Sequence, residues 1–185
     1  VEFFATSDGQ AVLANVAGVK VGSEGRPLPG GGEVELGAYD INEDLILEDD
    51  RGFVKVAGPE EVGVLLARPW GPIDPSASSK RGVFAAGDVW ISTEYVFWRD
   101  ADGDFWLLGN RSRFLHTPRG VVFPAPITDA IGAIAGVDLA VTYGVQTPSG
   151  TLAVTAISLL PGRSVTVADL GEAVASMPIG LAPDV

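Results

Sequence analysis

Four short segments hold the side chains whose types and spacing could do chemistry. They are FFATSDGQ at 3–10, VGSEGRPLPGGGEVEL at 21–36, GDVW at 87–90 and DGDFWLLGNRSR at 102–113. Their aromatic rings, hydroxyls, carboxylates and guanidinium groups can stack, hydrogen-bond, ligate hard cations or face anions. Taken singly, each segment has a bland reading. FFATSDGQ is a strand end followed by an acidic turn, Gly87–Asp88 is a common turn, and Arg111, Arg113 and Arg119 form a solvated basic patch. DADGD at 100–104 opens like an EF-hand loop but lacks the later ligands and the bidentate Glu, so a tight hairpin turn is expected.

Several chemistries are excluded by composition. The chain of 185 residues has no Cys, which removes disulfides, thiolate nucleophiles and Cys-based zinc sites. His116 is the single histidine, and its setting, FLHTPRG, offers no nucleophile elbow for a hydrolase triad. Twenty-four acids against twelve bases, a net charge of −12, argue against nucleic-acid binding. No apolar run reaches the ~18 residues of a membrane span, and no signal peptide opens the chain. Residues 40–61 are strongly acidic and read as a solvated loop face, whereas charge nearly vanishes beyond Val121. A surface that poor in charge is expected to be covered.

The elements that must position these residues are β-rich over the first hundred positions. EVELG (33–37), GFVKVA (52–57) and EVGVLLA (61–67) read as strands, and 90–108 as a hairpin turning at DADGD. Residues 70–82 read as a Pro/Ser-rich surface loop. After Gly120 the order becomes helix–strand–strand–helix. The first helix carries Ile127, Ile131 and Ile134 on one face, with Pro126 near its start and Gly136 as a stop. Strands DLAVTYGV and TLAVTAISLL flank a turn at 147–150. The second helix is expected to start at Thr166 as N-cap, with Asp169 near its N-terminus. Val167, Leu170, Val174 and Met177 make its apolar stripe, and Pro178 ends it.

In their order and separation the four segments resemble adenylate-forming enzymes. The likeness is to the acyl-CoA synthetase branch with its very-long-chain, fatty-acid-transport-protein-like members. FFATSDGQ resembles the family's Y-G-x-T-E-G element, with Ser7 for Thr and Asp8 for Glu. The stretch at 21–36 resembles G-S-x-G-x-P-x-P-G-x-E-V and marks fold rather than catalysis. GNRSR resembles the junction between the family's large and small domains.

The resemblance implies a mixed α/β chain: a β-rich, small distorted barrel, then a truncated α+β C-terminal domain. Residues 1–110 would end the large AMP-binding domain, 111–113 would be the hinge, and 114–185 part of the small domain. For ATP or AMP, Phe4 would stack on adenine, Ser7 would bond the α-phosphate and Asp8 would help hold Mg²⁺. Asp88 would accept the ribose hydroxyls, Arg111 would reach ribose and phosphate, and Arg113 would sit at the hinge. Arg119 and Gly120 resemble the following K-G or R-G loop, from which VVFP then departs.

The chain is thus expected to be a fragment of a fatty acid–CoA ligase, whose parent converts fatty acid, ATP and CoA to acyl-CoA, AMP and diphosphate. The parent is expected in the cytoplasm or peripheral to a membrane. No phosphate loop precedes these motifs and no lysine follows Lys80, so no catalytic set is complete and the isolated chain is expected to be inert. Self-association of the fragment is also expected. The alternative is a non-catalytic binding or structural module derived from the same fold.

Overall fold

The turn at 6–10 folds the chain back on itself, pairing strands β1 (Glu2–Ala5) and β2 (Val12–Asn15) antiparallel, with Phe4 opposite Leu13. Strand β3 (Arg26–Pro27) adds to β2 and completes a three-stranded sheet. Its approach depends on Gly25, whose φ is +78° and where a Cβ would lie 2.1 Å from the Ala14 carbonyl oxygen. Only glycine fits there. Buried Ser23 fixes the same turn: its Oγ accepts from the Gly25 N–H at 2.9 Å and donates to the Phe105 carbonyl at 3.3 Å. This computed structural model describes residues 2–70 and 79–177, so the loop expected over 71–78 and the helix stop at Pro178 lie outside the described residues.

A six-stranded sheet follows, built from β4 (Val34–Asp40), β5 (Leu45–Ile46), β6 (Val62–Ala67), β7 (Ser79–Arg81), β8 (Val89–Arg99) and β9 (Phe105–Asn110). Its order is β5-β4-β6-β8-β7, with β9 also on β8. Strand β8 is long enough to share its outer edge. Residues 89–91 pair with β7 and 95–99 with β9. The strand path has two ends, and no closed barrel forms among the described residues. Leu13, Leu36, Leu65 and Phe97 are fully buried between these strands. Each such side chain contributes about 1.5–3 kcal/mol on burial.

Two strand expectations change. Residues 52–57 make only isolated bridges, Val54 to Glu48 and Val56 to Gly37. Successive N–H groups there go to three different neighbours: Val54 to Val83, Lys55 to Leu47 and Ala57 to Leu36, so no ladder develops. Conversely, Ser79–Arg81 is a fully exposed edge strand rather than loop. Its polar side chains give no apolar alternation to betray it.

The chain divides into two compact units, 1–111 and 112–185, with the short 3₁₀ turn Arg111–Arg113 at the division. The second unit holds a hairpin of β10 (Leu115–Thr117) and β11 (Gly120–Val122), helix α1 (Pro124–Gly132), strands β12 (Val137–Thr147) and β13 (Gly150–Leu159), and helix α2 (Val167–Ala175). Helix α1 begins with Pro124, where a missing N–H costs nothing, and ends four residues before Gly136. Ile127 and Ile131 are buried with Val122, Val137, Ala140 and Met177, and Ile134 packs on them from beyond the helix.

Helix α2 starts as its sequence predicts. Thr166 Oγ1 accepts the Asp169 N–H while the Asp169 carboxylate accepts the Thr166 N–H, a reciprocal capping box. Leu170 and Val174 pack on the core, but Val167 is 85% exposed, because the first helical position faces away from it. Across the β12–β13 ribbon, Leu139, Val141, Tyr143 and Val145 alternate on a face left open to solvent. No helix among the described residues is long and apolar enough to cross a membrane.

Candidate functional site

Ser7 and Asp8 occupy the exposed turn between β1 and β2. Asp8 Oδ1 accepts from Thr6 Oγ1 at 2.6 Å and from the Gln10 N–H at 3.1 Å. Among the described residues, none donates to its Oδ2. One exposed carboxylate oxygen fits Mg²⁺, which keeps most of its ligands as water and substrate oxygen. Trp70 meets this turn, its Nε1 donating to the Gly9 carbonyl at 3.4 Å and its N–H to Gln10 Oε1 at 3.2 Å. The indole is 60% exposed.

Phe4, three residues earlier, is instead buried. Its ring stands edge-on to Tyr95 at 5.0 Å and to Phe97 at 5.1 Å. Stacking a ligand on Phe4 requires that ring to leave the core.

Asp88 holds its own turn together. Oδ1 accepts from the Val83 N–H at 2.6 Å, and Oδ2 from the N–H groups of Phe84 and Ala85, both at 3.0 Å, and from Trp90 Nε1 at 2.8 Å. Partial burial pushes its pKa up, but the Trp90 bond and the three backbone bonds outweigh it and hold the carboxyl below its ordinary value. Asp88 therefore stays ionised and engaged.

Arg111 follows the last residue of β9. Its Nε donates to Glu94 Oε2 at 2.5 Å, and its Nη1 lies 3.7 Å from Asp44 Oδ1. Tyr39 donates its hydroxyl to the same Asp44 oxygen at 2.6 Å. Burial, then the bond to Asp44, raises the Tyr39 pKa, so it remains a phenol donor. Glu94 and Asp44 both have left-handed backbones, φ +61° and +52°. Around Glu94, strand β8 bulges: Val64 pairs with Val96 and Leu66 with Ser92, leaving two extra residues on β8.

The structure does not bring Asp88 to Arg111. Ile91 sits opposite Ala67 and Val96 opposite Val64. At about 3.3 Å per strand residue, Asp88 is then roughly 15 Å from the level of Glu94. Ser7, Asp8, Trp70 and Asp88 lie toward the Ala67 end of β6, and Arg111 lies at the bulge. Sequence reading missed Glu94; counting back from the turn puts 94 opposite 110, and the register shift between Val96 and Phe97 moves its partner on to 111. Arg113 is exposed in the turn at the division of the two units, and Arg119 in the β10–β11 turn.

The turn of the β8–β9 hairpin carries a second charged group. Lys20 Nζ lies 2.5, 2.7 and 3.0 Å from carboxylate oxygens of Asp100, Asp102 and Asp104. An ammonium thus sits where the DADGD spacing would otherwise invite a cation.

The architecture is that of the C-terminal part of adenylate-forming enzymes. Two similar solved structures cover 98% of this chain: the amide bond synthetase McbA from Marinactinospora thermotolerans (TM-score 0.66, 21% identity, 36% of that chain) and the O-succinylbenzoate CoA synthetase MenE from Bacillus subtilis in complex with AMP (0.65, 18%, 35%). A third, the anthranilate CoA ligase AuaEII in complex with anthranoyl-AMP, is matched over 90% of this chain and 30% of its own (0.59, 21%). The chain thus spans about a third of the length of these proteins. No protein-family model matches the chain, and no curated protein matches it.

Proposed function

We propose that the chain is the nucleotide-side end of an acid-activating ligase of the fatty acyl-CoA synthetase type. The observation that supports this is one of place. The four segments read from the sequence fall in order within a fold shared over 98% of the chain with McbA and MenE. In the proposed site Ser7 bonds the α-phosphate, Asp8 supplies one oxygen to Mg²⁺, and Arg111 reaches ribose and phosphate. Trp70 is the exposed ring at the Ser7–Asp8 turn and is proposed to meet the base, with Phe4 as part of the wall behind it. Mg²⁺, when bound, neutralises charge on the phosphates. Arg113 is proposed as the hinge residue, CoA as the acyl acceptor, a fatty acid as the substrate, and the cytoplasm or a membrane surface as the location. Self-association is proposed through the open apolar face of β12 and β13.

A second reading, a non-catalytic module, is favoured by the burial of Phe4 and by the separation of Asp88 from Arg111. Acid-dependent ATP–pyrophosphate exchange separates the two. The 185-residue chain alone is expected to show none, and the uninterrupted reading frame that contains it is expected to show exchange with fatty acids. Exchange by the isolated chain would overturn its reading as a part. No exchange by the whole frame would favour the module.

A further inference from the structure

We propose that a groove of the first unit, between β4 and the segment 47–56, is a docking site for an extended segment of a partner protein in which basic and apolar residues alternate. The proposal does not rest on the nucleotide reading, since none of Ser7, Asp8, Asp88 and Arg111 lines this groove.

Three observations carry it. The first is the groove itself, which has a volume of about 770 Å³ and an apolar lining of Leu47, Phe53, Val54, Val56, Val62 and Phe84. Leu47 is 39% exposed and Val56 51%, so part of this apolar lining is open to solvent. A cleft of that size takes a few side chains and not a folded domain.

The second is an open backbone edge at Val56. Its bridge to Gly37 is made by the neighbours of both residues: the Ala38 N–H donates to the Lys55 carbonyl and the Ala57 N–H to the Leu36 carbonyl, each at 2.8 Å. In such a pair the N–H and C=O of Val56 itself point away from β4. Among the described residues, none accepts from that N–H or donates to that carbonyl. An extended segment laid along Val56 can make both bonds, as in strand addition to a sheet edge, while its alternate side chains enter the groove.

The third is charge, which selects the partner. Residues 40–61 hold eight acids against Arg51 and Lys55, half of the chain's net charge of −12. Arg51 is engaged locally: its Nε and Nη2 donate to Asp49 Oδ2 at 3.1 and 2.8 Å, and its guanidinium lies over the Phe53 ring. Among the described residues, no cation pairs with Glu48, Asp50, Glu60 or Glu61, and Glu61 lines the groove. Acids around an apolar lining repel carboxylates and attract Lys or Arg on a segment whose other residues are apolar. The stems of such basic side chains can lie along Leu47 and Val56 while their heads meet the carboxylates.

Amide resonances of the ¹⁵N-labelled chain, titrated with three capped heptapeptides, test the assignment. One alternates lysine with valine, one lysine with serine, and one glutamate with valine. The lysine–valine peptide is expected to bind about tenfold tighter than the lysine–serine one and to shift the amides of Leu47, Phe53 and Val56 most. The glutamate–valine peptide is expected not to bind. Val56→Ser, at a half-exposed position, is expected to weaken the lysine–valine peptide about fivefold and leave the lysine–serine one within about twofold. Asp50→Asn with Glu60→Gln is expected to weaken both about threefold. Equal binding of the two lysine peptides, or shifts spread over acids throughout the chain, would show attraction by charge without a groove and overturn the proposal. Binding of the glutamate–valine peptide would overturn it, as would no binding of any peptide. Shifts at the three amides that grow with protein concentration alone would make a second copy the occupant, and the proposed partner would fall.

Discussion

Replacing Asp100 by alanine should unfold the first unit far more readily than replacing Asp102, although both touch the same lysine. Asp100 has a side chain only 11% exposed, and it accepts from four donors: the N–H groups of Asp102 and Asp104, Lys20 Nζ and Trp106 Nε1. Hydrogen bonds to a charged group contribute about 1.5–3 kcal/mol each, but they are not additive here. Lys20 keeps Asp102 and Asp104, and the turn amides can reach water. What remains lost is the Trp106 bond and the closure of the turn, about 3 kcal/mol in all. For a unit of this size that lowers Tm by roughly 15 °C. Asp102 is 71% exposed, so Asp102→Ala should cost about 0.5 kcal/mol or less.

The effect has a pH signature. Burial pushes the Asp100 pKa up, but the Lys20 bond and the Asp104 and Trp106 bonds bring it down to about 2. A folded-state value below the unfolded one, about 3.9, means that this stabilisation is complete above about pH 5 and is lost as pH falls toward 2. Thermal unfolding followed by near-ultraviolet circular dichroism at pH 7 and pH 2.5 reads both effects. The gap between native and Asp100→Ala should be wide at pH 7 and narrow at pH 2.5. A shift under about 3 °C at pH 7, or an equal shift for Asp102→Ala, would refute the view that this turn anchors the hairpin carrying Arg111.

Three further outcomes are expected. Glu94→Gly should be about 1 kcal/mol more stable than Glu94→Ala, because glycine relieves the left-handed backbone and alanine does not; equal melting curves would remove the claim of strain. Thr166→Ala should cost about 1 kcal/mol by opening the capping box, and should speed amide exchange in Val167–Ala175; unchanged protection there would mean that the cap contributes nothing. Light scattering should show association of the native chain, relieved by Val141→Lys with Leu152→Lys on the open ribbon face. A native chain that stays monomeric at millimolar concentration would end that idea.

Local pattern decided which elements were legible. The long hairpin showed itself through alternating apolar residues on both sides of DADGD, and the start of α2 through the Thr166–Asp169 spacing. Residues 52–57 alternate equally well, yet their donors are divided among three neighbours, which is a property of the tertiary arrangement. Ser79–Arg81 pairs as an edge strand with no apolar residue at all. At the candidate site, motif matching picked out Arg111 as a candidate but could not see that β8 extends six residues between Asp88 and Glu94. Nor does any side-chain pattern announce a left-handed glutamate. The partner of Arg111 is set by hairpin register together with its shift between Val96 and Phe97, and no motif carries that shift.

The central claim, that a nucleotide binds through Arg111, is tested most directly by calorimetry of AMP with the 185-residue chain. The expected result is a Kd of about 1 mM, near 4 kcal/mol, weakened about tenfold by Arg111→Met. No binding at 10 mM AMP, or binding indifferent to Arg111→Met, would contradict it.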